Sequence, residues 1–74
     1  MKMEINSEYL NVIKFSFPTL EVKYRVNFHI FTINNEEEVL WIRGSVNEVH
    51  LAKMAIMVQQ YYHFKTIFLS FLNN

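Results

Sequence analysis

The chain has 74 residues, seven basic and seven acidic side chains, and 51% hydrophobic content with 16% aromatics. That length makes one domain, and a domain this small buries only about 60% of its unfolded surface, so it needs a dense core or outside support. Cysteine is absent, which excludes disulfides, thiolate metal sites and a thiol nucleophile. A neutral balance removes the general attraction to phosphate that dominates nucleic-acid affinity, though not a local basic strip.

Residues 1–8 are polar and read as a frayed or lightly docked end. No continuous apolar run follows Met1-Lys2-Met3-Glu4, so no secretory signal is expected. In residues 10–17, Ile13, Phe15 and Phe17 alternate with Lys14 and Ser16 as in a strand, and Tyr9, Val12 and Ile13 also fit one side of a short helix. The β-rich composition near Pro18 favours the strand. Residues 18–21 read as the turn that follows, since proline cannot donate to a ladder.

Residues 22–33 alternate most clearly. Val22, Tyr24, Val26, Phe28 and Ile30 share one face, and Lys23, Arg25, Asn27 and His29 the other, which turns apolar at Phe31 and Ile33. The asparagines and glutamates of 34–37 read as a turn, and 39–43 as an antiparallel return. Leu40 and Ile42 face one way; Val39, Trp41 and Arg43 face the other.

Gly44 frees the chain to turn, and Ser45-Val46-Asn47-Glu48 fits a capping box at a helix start. The helix is expected to reach about Tyr62. Val49, Ala52, Ala55, Ile56, Val58 and Gln59 trace its inner stripe, with His50, Lys53 and Gln60 outside. Residues 65–72 are β-branched and aromatic and favour a fourth strand, although Phe64, Ile67, Phe68 and Phe71 keep helical spacing. The expected fold is α+β: a small antiparallel sheet of three to four strands with one long helix on one face, forming a single domain over 1–74. One helix cannot dry both faces of such a sheet. Phe31, Ile33, Val39 and Trp41 are left over, and a contiguous apolar patch of several hundred Å² tends to mark an interface.

Catalytic and metal chemistry find little footing. Aspartate and cysteine are missing, and His29, His50 and His63 fall in no chelating pattern. A single glycine cannot build a phosphate loop. No enzyme activity, metal, cofactor or small-molecule substrate is expected. The 54–72 stretch is broken by Gln59, Gln60, His63 and Lys65, so no membrane span is expected either; cytosol or nucleus is the expected compartment.

Leu40, Ile42, Gly44, Val49, Ala52, Lys53 and Ile56 follow an apolar–x–apolar–x–Gly strand end and a V…A[KR]..I helix. This spacing resembles the last strand and helix of a KH domain, as in small-subunit ribosome-assembly factors. By the same resemblance 22–31 serves as the middle strand, 34–37 as the variable loop, and 14–18 as the strand-then-proline opening. A KH domain carries two helices joined by a GxxG loop between its first two strands, and that loop clamps about four nucleotides. No glycine precedes Gly44 and only 18–21 separates the candidate strands here, so the frame reads as KH-like or truncated KH-like, with no clamping residue carried over. The resemblance implies an RNA-associated subunit or accessory of a ribonucleoprotein such as the ribosome. Lys23, Arg25, His29, Arg43, Lys53 and Lys65 are the candidate RNA contacts, and Phe31, Ile33, Trp41 and Tyr61 the stacking or interface candidates. The alternative is a protein-interaction module or homodimer on a degenerate KH-like frame.

Overall fold

The computed structural model describes residues 1–33 and 37–73. The fold is α+β, a three-stranded antiparallel sheet with its helices on one face. The elements run β1 (Lys2–Glu4), α1 (Ser7–Ile13), a 3-10 turn (Lys14–Ser16), α2 (Phe17–Tyr24), β2 (Asn27–Ile33), β3 (Glu37–Arg43) and α3 (Val46–Leu72).

The strands lie in the order β1-β3-β2, so β3 is central. Phe28 faces Ile42 and Ile30 faces Leu40 across the β2–β3 pair, and Met3 faces Leu40 across β1–β3. Ile42 also exchanges backbone hydrogen bonds with Met1, at 2.8 and 2.6 Å. Leu40 and Ile42 are completely buried, together with Ile56 of α3. Around them Val49 and Ala52 of α3, Leu10 and Ile13 of α1, and Phe17 and Leu20 of α2 close the core. Phe17 stacks on Phe28 with ring centroids 4.6 Å apart.

The first third departs from the strand expected at 10–17. Asn6 caps α1, its side chain accepting from the Glu8 and Tyr9 amides at 2.9 and 3.3 Å. That satisfies amides which a helix start otherwise leaves open. Pro18 opens α2 rather than ending a strand, because its missing N–H is no loss in a first turn. The alternation at 22–25 therefore belongs to a helix end. Arg25 takes the left-handed conformation (φ 56°, ψ 47°), and its N–H and that of Val26 both return to the Glu21 carbonyl. The Glu21 carboxylate then accepts from the Phe28 amide at 3.1 Å and ties α2 to the first ladder residues.

Residues 1–8 are not a loose end: Lys2–Glu4 forms the β1 edge strand and Met3 is buried. The turn expected at 34–37 lies outside the described residues except for Glu37, which opens β3. Gly44 owes its place to space. A Cβ there would sit 3.0 Å from Val26 Cγ1 and 3.3 Å from the Arg25 carbonyl.

Half of the expected capping box forms. Ser45 Oγ accepts from the Glu48 amide at 3.4 Å, whereas Glu48 Oε2 is buried without a hydrogen-bond partner. The helix then runs through 65–72, which are not a fourth strand. Its inner row is Val49, Ala52, Ile56 and then His63 and Phe64, which both pack on Tyr9. Val58 and Gln59 face out, contrary to the expected inner stripe, and Lys53 and Gln60 lean inward. At about 1.5 Å per residue, 27 residues span about 40 Å, close to the 43 Å long axis of the molecule. The radius of gyration, 13.3 Å, exceeds the roughly 11 Å of a compact chain this long. The excess is the end of α3, which projects past the body.

Two substitutions test these assignments. Arg25→Gly relieves a left-handed residue with a Cβ and is expected to raise stability by about 0.5–1 kcal/mol in urea melts. Gly44→Ala presses a methyl against Val26 and the Arg25 carbonyl and is expected to cost about 1–3 kcal/mol.

Candidate interaction surface

The back of the sheet, opposite the helices, is apolar and open. Alternation along β3 puts Val39, Trp41 and Arg43 there, and β2 adds His29, Phe31 and Ile33. Register places Phe31 opposite Val39 and His29 opposite Trp41, with Lys2 of β1 on the far side of Trp41. Val39 is buried at the centre at 3% exposure, while Trp41 keeps 39% and Phe31 55%. Lys2, Phe31, Ile33, Val39 and Trp41 line one shallow hollow. Among the described residues neither chain end covers it: β1 widens the sheet, and α3 packs on the opposite face.

A second apolar surface lies on α3. Beyond Phe64 every described side chain is exposed, including Ile67, Phe68, Leu69, Phe71 and Leu72. Tyr61 is exposed beside Tyr62, ring centroids 5.4 Å apart, and Lys65 Nζ sits 5.9 Å from the Tyr61 ring. No helix among the described residues is long and apolar enough to cross a membrane.

The six candidate RNA contacts do not converge. His29 and Arg43 border the back of the sheet, the His29 ring 6.5 Å from Phe31. Lys23 and Arg25 were expected on that same strip, but they stand at the end of α2 and line a hollow with Glu48 and Leu51. Lys23 Nζ lies 5.4 Å from the Tyr24 ring. Lys53 faces Lys2, Glu4 and Gln60 at the β1 edge. Lys65 rides the projecting helix. The strip fails because Lys23 lies in the last turn of α2 and Arg25 is its left-handed cap, so the two do not continue the alternation of β2.

The structure adds two residues to the candidates. Phe15, 80% exposed, caps the link between α1 and α2, with Lys14 Nζ 5.6 Å from its ring. Lys2 walls the Trp41 hollow. Phe15 was hidden by its apparent place in a strand, and Lys2 by the brevity of β1. The phenol of Tyr9 is pushed above its ordinary range by burial, which keeps it neutral where it packs on His63. No known protein family, curated protein or solved structure matches this chain.

Trp41 is the single tryptophan, so its fluorescence reports on the hollow alone. Iodide is expected to quench it readily in the isolated chain. Shielding from iodide in that state contradicts an open hollow.

Proposed function

We propose that this chain is a non-enzymatic protein-interaction module on a KH-like frame, acting in the cytosol or nucleus. The observation that carries the reading is the uncovered back of the sheet, where Phe31, Ile33 and Trp41 surround Val39. Exposed aromatics around a buried aliphatic centre suit the anchor of a protein interface. Zero formal net charge and dispersed cations favour such a partner over a phosphate backbone.

One observation favours a second reading, an RNA-associated subunit of a ribonucleoprotein. The element order strand–helix–helix–strand–strand–helix supports the KH resemblance more fully than the second half of the sequence alone, since two helices do stand between the first two strands. The link between them is Lys14-Phe15-Ser16, a 3-10 turn without glycine. Its form does not suit the close backbone approach to phosphate that a GxxG loop permits.

Capture from native extract, with and without RNase, separates the two. A Phe31→Ser/Trp41→Ser pair is expected to release the partner, while RNase and raised salt change little. Loss on RNase treatment or with Lys23→Glu/Arg25→Glu, and retention in the aromatic pair, establishes the RNA reading instead.

A further inference from the structure

The face of α3 turned away from the core repeats with a period of its own. Leu51, Met54, Val58, Tyr61, Phe68 and Leu72, with Lys65 in the one charged place, follow each other by alternating steps of three and four residues. All seven are exposed. Such spacing over three heptads is the seam of a two-stranded coiled coil, with Leu51, Val58, Lys65 and Leu72 at one seam position and Met54, Tyr61 and Phe68 at the other. The core of the domain uses the opposite side of the helix, through Val49, Ala52 and Ile56. A second helix therefore reaches the seam without displacing anything.

We propose that α3 pairs through this seam with α3 of a second copy of the chain, antiparallel, to form a homodimer. The proposal rests on the reading of the chain as an interaction module and names a partner for it. Three observations select the occupant. The area suffices: six apolar seam residues burying roughly 100 Å² each, flanked by exposed Met57, Tyr62, Leu69 and Phe71, approach the ~800 Å² per partner of a stable interface. The pattern is self-complementary, as a two-fold interface requires, because the same apolar positions lie on both copies. The charge sets direction. A parallel pair places Lys65 against Lys65 in one layer, whereas an antiparallel pair separates the two ammonium groups and opposes the helix dipoles. His50 and Tyr62 flank the seam row, and the one acid of α3, Glu48, lies at its first turn beside Leu51, far from Lys65, so no acid on the helix is at hand to neutralise a lysine pair there.

Sedimentation equilibrium of the intact chain tests this. The expected mass is twice the 9.0 kDa of the chain, with dissociation in the micromolar range, about 1–100 µM. Val58→Glu/Phe68→Glu is expected to give a monomer with unchanged helical circular dichroism. Lys65→Leu removes the charged seam residue and is expected to tighten the dimer about tenfold or more; it keeps the test decisive if the double variant fails to fold. The chain has no cysteine, so a Leu72→Cys variant reports direction. It stays unlinked under mild oxidation in an antiparallel pair and links to itself in a parallel one. A wild-type monomer at about 100 µM, a dimer indifferent to both seam variants, or ready Leu72→Cys linkage overturns the proposal. A monomer that still loses its cellular partner with Phe31→Ser/Trp41→Ser overturns the dimer and leaves the interaction module standing.

Discussion

The structure depends on the contact between the central strand and the N-terminal half of the long helix. Leu40 and Ile42 of β3 are flanked on both sides by strands and roofed by Ile56, and none of the three retains exposed surface. Each fully buried aliphatic side chain contributes about 1.5–3 kcal/mol. In a chain this short, a few such residues are a large share of net stability. The two small helices α1 and α2 fill the same side. Everything that packs goes to one face, and that allocation leaves the other face bare.

Two surfaces follow from it. The back of the sheet keeps Phe31, Ile33 and Trp41 around Val39, and the end of α3 runs past the body with Ile67, Phe68, Leu69, Phe71 and Leu72 exposed. These features have one physical origin. A two-layer fold of 43 × 30 × 18 Å has room for one sheet and one helical layer, and this sequence carries more apolar side chains than that core admits. The proposed partner would cover the remainder and complete the burial that a small domain lacks.

The parts of the fold legible in the sequence were those with a local signal. β3, Gly44, the Ser45 cap and the start of α3 stand where spacing and capping chemistry put them, and the back-face quartet was read from alternation alone. The misses have equally local causes. Asn6 as a helix cap looked like one more asparagine. Pro18 signals a helix start as well as a strand end. Arg25 holds a left-handed turn that glycine more commonly occupies, so the α2–β2 boundary was invisible in a run of alternating residues. β1 is three residues long and mostly polar. The last turns of α3 keep helical spacing at Phe64, Ile67 and Phe71 but stay exposed past Phe64, and their β-branched and aromatic content favours a strand by composition. The basic strip dissolved for a related reason: Lys23 and Arg25 belong to the end and cap of α2, not to a strand.

The central claim is that these bare surfaces are covered in the working state of the protein. Hydroxyl-radical footprinting with residue-resolved mass spectrometry tests it most directly, on the isolated chain at high dilution and on the chain assembled in native extract. The account predicts strong oxidation of Phe31, Trp41 and Phe68 in the dilute chain, clear protection of these residues in the assembly, and little reaction at Leu40 and Ile56 in either. Trp41 and Phe31 unreactive in the dilute chain, or equally reactive in both states, contradict it.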